Sequence, residues 1–463
     1  MDEPASTSTV PQKIVDELSK KKKPTEEMTP ADYADELESQ ADGGPVKRLE
    51  DIKGITPAMA RKLREKGYNV MSLATTRADI IAADIDLTYT IAKAICNLAQ
   101  EAALAKMTIQ TSEEYDSEQK SKQIFISTGS TELDAILGGG IPTMSTTCTS
   151  GRFSSGKTQI GYTAILDVLA NQIVCNKCKR KMTKLGDNCK SKIQTYDGKI
   201  VNCDGKAVRA KAAMIETEPD TFHLDRLKQM ASARKLGNVN WANLFIFPAK
   251  QIPTIKAQYL QYKIIQKLIE GYDEKEMVKQ GDKMVEKVKC HHDPEPIILV
   301  VIDSMNAKIR AGWSESQELP KRTRELAEHF QLIEYLAATY NVAWYLTSQV
   351  IAPIRPEQGL KMKVKFLDEY YPVGGDYLLH SVNNWIALAQ VTAEIGQAEL
   401  YDSSWMPKGD AYFKLTEKGV ENAGQAFQKR EDAKDAKKEK EKAAASGTTV
   451  APSTGDGTVR LQL

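Results

Sequence analysis

The stretch GRFSSGKT, at positions 151–158, has the residue types and spacing for phosphate chemistry, because it fits the pattern G-x-x-x-x-G-K-[ST]. In such a loop the glycines let backbone amides point at phosphates, the lysine reaches the outer phosphates and the hydroxyl holds Mg²⁺. An apolar segment precedes the stretch, and a helical pattern, QIGYTAILDVLA, follows it. We therefore predict that Gly151, Gly156, Lys157 and Thr158 bind a nucleotide with Mg²⁺. The other loop residues expected to line the phosphates are Arg152, Phe153, Ser154 and Ser155.

Polar side chains at strand ends are the expected partners of this loop in hydrolysis. Asp303 closes the run IILVVID and is the expected carboxylate on the far side of the metal, although alone it also fits a strand-end cap. Glu218 closes AAMIETE and is expected to orient or deprotonate the attacking water, with Glu216 as its strand-end neighbour. Gln349, in LTSQV, is expected to sense the terminal phosphate or, alternatively, to satisfy loop backbone. The predicted catalytic residues are Glu218, Lys157 and Gln349.

Four of the seven cysteines fall in a lysine-rich insertion, 172–210. Cys175 and Cys178 form a CxxC knuckle, whereas Cys189 and Cys203 flank two short β runs joined by an Asp-Gly turn signal. Pairing across that turn brings Cys203 near Cys189, which predicts a tetrahedral Cys₄ zinc site that stabilises a module too small for its own core. Surface thiols or a redox pair are the alternatives.

Composition is typical of a soluble protein of two or three domains, with 463 residues, a net charge of +1 and a charged fraction of 27%. No apolar run approaches the length of a membrane span, and the polar N-terminus lacks a signal-peptide core. We therefore expect the protein in the cytoplasm, or in a nucleus if the cell has one. A second run of ligand-type residues, Cys290-His291-His292, is expected to be a loop, because adjacent residues rarely converge on one metal.

Shifts in composition divide the chain into segments. Residues 1–46 and 425–463 are charged and rich in Ser, Thr, Pro or Gly, and we predict that both tails are disordered. A helical pattern covers 47–105, a polar linker follows at 106–125, and 126–424 alternates apolar, β-branched runs with helical stretches. That alternation predicts a mostly parallel α/β sheet. The strand-like runs are LFIF at 244–247, IILVVID at 297–303, VAWYLT at 342–347 and WIALAQ at 385–390.

The front segment LEDIKGITPAMARKLREKGY places a glycine turn, Gly54 to Thr56, directly before a helix that opens at Pro57. Proline suits a first helical position, and the exposed amides at a helix start can receive a phosphate. Together with a second helical stretch, DLTYTIAKAICNLAQEA, this segment resembles the helix-hairpin-helix module, which grips the DNA backbone without recognising sequence. The alternative is a small helical bundle that packs against a partner domain.

Several motifs occur in an order that is more specific than any one of them. After FISTGSTELDAILGGGIP and the phosphate loop come IETEPDTF, VVIDSMNAKIRAGW, LTSQV, VGGDYLLHSVNNWIAL and AELYDSSWMPKGDAYFKLTEKGVE. From residue 47 to 421, the insertion aside, the chain resembles the RecA-type recombinases, in particular archaeal RadA and its eukaryotic relatives. The resemblance implies an α/β RecA-type P-loop ATPase core with a mostly parallel twisted sheet, preceded by a small all-α helix-hairpin-helix domain. It also implies a DNA-dependent ATPase that binds ATP with Mg²⁺, forms a helical filament on single-stranded DNA and exchanges that strand with homologous double-stranded DNA.

The resemblance further implies roles for residues outside the phosphate loop. Arg226, in TFHLDRL, matches an arginine that stacks on adenine, and Asp402 and Pro407, in DSSWMPKGD, match a cap supplied by the neighbouring subunit. ATP would then sit between protomers, so that nucleotide state controls filament geometry. Two segments, 311–321 and 351–372, match the family's DNA-contacting loops, although the second also fits a solvated β-ribbon. The implied DNA contacts are Arg310, Arg322, Arg355, Lys361, Lys363, Lys365, Gly54 and Thr56.

Two differences from the family leave a second hypothesis open. The family joins its subunits through a Phe-x-x-Ala peptide, and the aligned linker residues here are Ile109 to Ser112. Ser316 stands where the family usually has arginine in the first DNA loop. The chain is therefore expected to be either an active, self-associating recombinase or an accessory paralogue that binds ATP and DNA and loads or regulates another recombinase. The order of the linker, the cap and the TEKG stretch argues against a third interpretation, a ring-forming helicase of the same fold.

Overall fold

A computed structural model describes most of the chain between residues 49 and 424. The described residues are 49, 52, 54–66, 68–104, 110–194, 200–237, 239–280, 283–312, 319–351, 371–373 and 375–424. The two tails predicted to be disordered, 1–46 and 425–463, lie outside them. Within the described part, no helix combines the length and apolar character needed to cross a membrane.

The chain divides into two compact units. The first comprises Met1–Ser117 with Lys190–Cys203, and the second comprises Glu118–Cys189 with Asp204–Leu463. The helical pattern predicted for 47–105 is confirmed over the described residues of the first unit. Its helices are α1 (Pro57–Glu65), α2 (Val70–Thr75), α3 (Ala78–Ile85) and α4 (Tyr89–Leu104).

Local chemistry starts the first helix, and apolar packing holds the group together. Gly54 has a φ of +83°, a left-handed conformation that favours glycine. Thr56 then caps α1, because its hydroxyl oxygen accepts the backbone N–H of Met59 at 3.2 Å. The helices pack around a fully buried core that includes Leu63 and Ile81.

The linker predicted at 106–125 contains a helix, α5 (Ser112–Lys122). None of its residues is buried. The Glu114 carboxylate accepts hydrogen bonds from the backbone N–H of Thr111, at 2.9 Å, and from its hydroxyl, at 3.0 Å. Charged residues and this cap, rather than an apolar face, therefore account for the helix.

The second unit is built on a large mixed sheet, which confirms the predicted α/β fold. Its strands are β3 (Ser145–Gly151), β8 (Lys211–Glu216), β9 (Leu244–Phe247), β12 (Ile297–Asp303), β13 (Ala343–Ile351), β14 (Tyr371–Pro372), β15 (Asn384–Gln390), β16 (Ile395–Ser403), β17 (Gly409–Thr416) and β18 (Gly419–Asn422). They pair in the order β18-β17-β16-β15-β3-β13-β12-β8-β9, with β14 paired to β13. The six strands β3, β8, β9, β12, β13 and β15 run parallel, whereas β15 to β18 are antiparallel neighbours.

Helices cover both faces of this sheet, because alternate strand residues point to opposite sides. Trp344 and Tyr345 on β13 show the alternation, since each belongs to a different apolar core cluster. The helices of this unit are α6 (Thr131–Ile136), α7 (Lys157–Asn171), α8 (Leu224–Ala233), α9 (Ile255–Glu270), α10 (Ala307–Gly312), α11 (Leu319–Tyr340) and α12 (Gly375–His380). A short two-stranded sheet, β1 (Phe125–Ile126) with β2 (Ile141–Pro142), precedes β3.

A long antiparallel hairpin connects α9 to β12. It consists of β10 (Tyr272–Gln280) and β11 (Lys283–His292). The expectation that Cys290-His291-His292 is a loop is wrong, because these residues are part of β11. Cross-strand pairs hold this end of the hairpin, including a stack of Tyr272 on His292 at 4.4 Å between ring centroids.

The cysteine-rich insertion contains two small antiparallel pairs. In the second unit, β4 (Ile173–Cys175) pairs with β7 (Ala207–Arg209). In the first unit, β5 (Lys192–Gln194) pairs with β6 (Ile200–Asn202), which confirms the predicted hairpin. Its Asp-Gly turn falls in 195–199, outside the described residues.

Candidate nucleotide-binding site

The phosphate-loop motif connects β3 to α7, in the strand–loop–helix arrangement that its sequence predicted. Gly151 ends β3, and a Cβ there would lie only 2.6 Å from the Leu388 carbonyl oxygen and 2.6 Å from Ser155 Oγ. Gly156 has a φ of +97° and is the N-cap of α7, which begins at Lys157. Close packing explains the first glycine, and the left-handed backbone explains the second.

The Lys157 side chain folds back and contacts the backbone of the phosphate loop. Its Nζ donates to the carbonyl oxygens of Gly151 and Arg152, each at 2.8 Å. Burial lowers the pKa of Lys157, while the nearby carboxylates of Asp303 and Glu218 act in the opposite direction. The ammonium group is therefore held among oxygen acceptors at the loop, beside two acidic side chains.

The remaining loop residues divide into two groups. Ser155 is buried, whereas Arg152, Phe153 and Ser154 are exposed, and the Phe153 side chain is 92% exposed. Ser154 has a φ of +62°. All four were predicted to line the phosphates, and only Ser155 faces inward in this structure.

Asp303 closes β12 and contacts the loop directly. Its Oδ2 accepts a hydrogen bond from Thr158 Oγ1 at 2.6 Å. Its Oδ1 accepts one from Thr347 Oγ1 at 2.5 Å. A hydroxyl beside a carboxylate is a ligand combination that suits Mg²⁺. Thr347 was not among the residues predicted from sequence, although it lies one residue beyond Leu346, which pairs with Ile302 of β12.

Glu218 is joined to two neighbouring strands. Its Oε1 accepts hydrogen bonds from Gln349 Nε2 at 2.7 Å and from Ser304 Oγ at 3.0 Å. The structure thus brings the predicted pair Glu218 and Gln349 together, at the ends of β8 and β13. Ser304, directly after Asp303, was not singled out by sequence. Gln349 and Ser304 therefore fix the orientation of the Glu218 carboxylate.

Glu216 makes a different set of contacts. Its carboxylate accepts hydrogen bonds from the backbone N–H groups of Thr221 at 2.8 Å, Phe222 at 3.0 Å and Ala249 at 3.2 Å. Burial raises the pKa of Glu216, but these amide hydrogen bonds outweigh burial and leave the pKa below its ordinary value. Glu216 therefore organises the backbone that follows β8 and β9.

Arg226, on α8, lies beside the first turn of α7. Its Nε and Nη2 donate to Gln159 Oε1, at 3.1 and 3.0 Å. The guanidinium also donates to the carbonyl oxygens of Thr416, at 2.7 Å, and Glu417, at 3.1 Å. These contacts hold Arg226 between the phosphate-loop helix and the turn from β17 to β18.

Asp402 and Pro407 lie at the end of the sheet where the parallel strands begin, opposite to the end that carries the phosphate loop. β15 runs parallel to β3, and β16 runs antiparallel to β15, with Asp402 opposite Trp385 and hence beside the start of β15. Both residues are exposed. The carboxyl end of β16 and the turn that follows it are therefore remote from the phosphate loop of the same copy.

The residues expected to contact DNA are only partly described. Gly54 and Thr56 lie at the entry to α1. Arg310 is on α10 and Arg322 is on α11, while their side chains lie outside the described residues. Most of the two predicted loops, 313–318 and 352–370, also falls outside them, and this includes Arg355, Lys361, Lys363 and Lys365.

The four cysteines of the insertion converge. The sulfur atoms of Cys175, Cys178, Cys189 and Cys203 lie within 4.8 Å of one another, and none of the four forms a disulfide. A Cβ at Gly205 would lie 2.3 Å from Cys175 Sγ, so only glycine leaves room for that sulfur. Gly205 is a packing residue that the cysteine spacing did not reveal.

Replacing Glu216 with glutamine should destabilise the second unit without removing a large side chain. The variant loses the charge that receives three amide hydrogen bonds, and we expect the free energy of unfolding to fall by roughly 1–3 kcal/mol. Urea unfolding at neutral pH measures this change in the free energy of unfolding. The exposed Glu417→Gln is the control and should change stability by less than about 0.5 kcal/mol.

The effect of Glu216→Gln should also depend on pH. Because the folded pKa lies below the unfolded one, the stabilisation is present above the unfolded value, about 4.3, and is lost as pH falls through the folded pKa. The stability difference between the two proteins should therefore shrink as the pH is lowered below about 4. A difference that stays constant down to roughly pH 3 contradicts this assignment.

Comparison with known proteins agrees with this architecture. The family model described as Rad51 matches residues 119–181 and 275–423. A protein of Aeropyrum pernix named DNA repair and recombination protein RadA is 27% identical over 383 residues, which cover 81% of this chain and 97% of that protein. Proteins of the same name from Methanococcus voltae (26% over 385 residues; 81% and 99% covered) and Metallosphaera sedula (26% over 379 residues; 82% and 96%) are also similar. These matches confirm the resemblance to the RecA/RadA-type recombinases that the ordered motifs carry.

Proposed function

We propose that this chain is an ATP-dependent recombinase that forms a filament on single-stranded DNA and promotes pairing and strand exchange with homologous duplex. Its relatives are named DNA repair and recombination proteins, which supports a recombinase role in DNA repair. The observation that carries the proposal is the hydrogen-bonded junction of Thr158 with Asp303 and of Glu218 with Gln349. Its DNA partner would place the protein at the nucleoid in the cytoplasm, or in a nucleus.

The same junction supports hydrolysis of ATP to ADP and phosphate. Lys157 would bind the outer phosphates, Thr158 and Asp303 would hold Mg²⁺, and the loop amides between Gly151 and Gly156 would bind the remaining phosphate oxygens. Charge on the phosphates would be neutralised by the metal when it is bound. Glu218 orients the attacking water, because two donors fix its carboxylate at the strand ends.

A neighbouring copy completes the nucleotide site. Arg226 is beside the phosphate-loop helix and stacks on adenine, whereas Asp402 and Pro407 are exposed at the remote edge of the sheet. Arg226 and the pair Asp402 and Pro407 lie at opposite ends of the strands. They can contact one nucleotide only when one copy places this pair against the phosphate-loop end of another copy. Nucleotide bound at that contact therefore controls self-association and, through it, the grip on DNA.

Two parts of the chain contact DNA in this proposal. The entry to α1, with Gly54 and Thr56, receives a backbone phosphate, and the segments 311–321 and 351–372 supply the basic residues of the core. Phosphate contacts of this kind weaken as salt concentration rises and do not depend on base sequence.

Electron microscopy of the full chain with single-stranded DNA, Mg²⁺ and a non-hydrolysable ATP analogue tests the assembly. We expect regular helical filaments that require both DNA and nucleotide. Omitting each component in turn is the control. Isolated particles or closed rings under all conditions contradict a filament-forming recombinase.

One observation favours the second candidate, an accessory paralogue that loads or regulates another recombinase. The linker residues aligned with the family's subunit-joining peptide run from Ile109, outside the described residues, to Ser112, the first residue of α5. A peptide that adds to a neighbour's sheet must be extended, and a helix start is not. ATP and DNA binding without filaments is the outcome that selects this candidate.

Glu218→Gln should abolish ATP turnover and leave ATP binding intact. Glutamine keeps the size and the hydrogen-bond acceptor but cannot take a proton, so loss of at least about a hundredfold in kcat is expected. Steady-state ATPase assays and nucleotide-binding titrations measure the two properties. The unfolding midpoint should stay near that of the parent chain, unlike that of Glu216→Gln. Normal turnover in Glu218→Gln contradicts the catalytic assignment.

We also propose that the four clustered cysteines bind a structural zinc ion. The fit is that of a closed tetrahedral site: four sulfurs that form no disulfide lie within 4.8 Å of one another, and Cys175 Sγ accepts the backbone N–H groups of Lys177 at 3.4 Å and Cys178 at 3.5 Å. Amides aimed at a sulfur stabilise its thiolate form, which is the form that binds metal. Zinc supplies folding energy to this small module.

Native mass spectrometry of the full chain tests the metal. We expect one zinc ion per chain, and we expect Cys175→Ser to lose it because three thiolates hold zinc less tightly. Cys290→Ser is the matched control, since that cysteine is exposed and outside the cluster. A metal-free parent chain, or equal loss of zinc in both variants, contradicts the site.

A further inference from the structure

Asn306 occupies a buried position directly after the metal-site strand. It lies three residues beyond Asp303 and is 2% exposed. Its Nδ2 donates to Ser348 Oγ on β13 at 2.8 Å and also to the carbonyl oxygen of Val373, just past β14. The Asn306 side-chain amide therefore links the segment after β12 to β13 and to the backbone that follows β14.

These contacts form a closed circuit around the end of β13. The backbone N–H of Val373 donates to the carbonyl oxygen of Gln349 at 2.9 Å, and Gln349 is the covalent neighbour of Ser348. Val373, in turn, receives the Asn306 amide. The circuit leaves the Gln349 side chain directed at Glu218. A shift of the β13–β14 pair cannot leave both the Asn306 contacts and the Gln349–Glu218 contact unchanged.

Packing alone does not explain an asparagine here. Its Oδ1 is buried and has no hydrogen-bond partner among the residues that the structure describes. An unsatisfied buried acceptor is destabilising, so the position carries a cost that an apolar side chain would avoid. What the asparagine supplies is a donor that reaches two elements at once.

We propose that Asn306 is a positioning residue that couples ATP turnover to the β13–β14 strand pair, from whose ends the segment 352–370 continues. Asn306 holds Ser348 and Val373 in the arrangement that sets Gln349 against Glu218. A ligand that moves the strand pair thereby changes the orientation of the carboxylate at the nucleotide. The inference rests on the proposed function, in which that ligand is single-stranded DNA.

Asn306→Asp tests the coupling in the full chain. Aspartate has nearly the same shape but, when ionised, places an oxygen instead of a donor against the Val373 carbonyl oxygen. We expect the ratio of the kcat with poly-dT to the kcat without DNA to fall roughly tenfold, with KM for ATP within about twofold of that of the parent chain. Ser348→Ala removes one of the two acceptors of the Asn306 amide and should lower the ratio of DNA-stimulated to DNA-free turnover by a smaller factor. This variant provides the test if Asn306→Asp does not fold.

Asn341→Asp is a matched control for a merely structural effect. Asn341 is 5% exposed, and its Nδ2 also donates to two carbonyl oxygens, those of Lys122 at 2.8 Å and Lys179 at 3.2 Å. Its Oδ1 likewise has no partner within the described part of the chain. We expect this variant to lose thermal stability comparably while keeping the ratio of DNA-stimulated to DNA-free turnover.

The outcomes separate the coupling from the proposed function. If the parent chain shows DNA-stimulated turnover and Asn306→Asp shows the same ratio, the coupling is wrong and the proposed function stands. An equal fall of the ratio in Asn341→Asp also overturns it, because the effect is then one of stability. A parent chain that hydrolyses no ATP with or without DNA contradicts the proposed function itself.

Discussion

The hydrogen bond between Thr158 and Asp303 joins residues that are 145 positions apart in the chain, and the rest of the site depends on it. It forms because β3, β13, β12 and β8 are parallel neighbours that end at one edge of the sheet. Their register places Gly151 beside Gln349 and Asp303 beside Glu216. A slip of one residue in any of these pairs would turn the polar ends toward the wrong face. Correct strand pairing and the chemistry of the site are thus one constraint.

The other half of the sheet reverses direction, and that reversal separates two sets of predicted site residues. β15 keeps the direction of β3, while β16, β17 and β18 alternate. The exposed residues Asp402 and Pro407 consequently lie away from the phosphate loop. In the proposed function this polarity gives each copy two different surfaces that meet head to tail, which is the arrangement that builds open helical assemblies.

Much of this organisation could be predicted from sequence, and the exceptions have physical reasons. β12 was predictable because an unbroken apolar run ends in an aspartate, and the phosphate loop because its pattern spans a strand and a helix. Ser304 and Thr347 were missed because small polar residues next to a motif have no distinctive spacing. The hairpin β10–β11 was missed because its strands are stabilised by charged cross-strand pairs, such as Lys289 with Glu274, and lack an apolar run.

The cysteine-rich segment and the β10–β11 hairpin enter the sheet on the same side. The cysteine-rich segment leads into β8 and the hairpin leads into β12, so both join at the amino ends of parallel strands. Lys179, next to the CxxC knuckle, donates to the backbone carbonyl of Glu295, just before β12 begins. β12 is seven residues long, so roughly 20 Å of strand lies between that contact and Asp303. A displacement at that contact would reach Asp303 along the buried backbone of β12, since no side chain could bridge such a span.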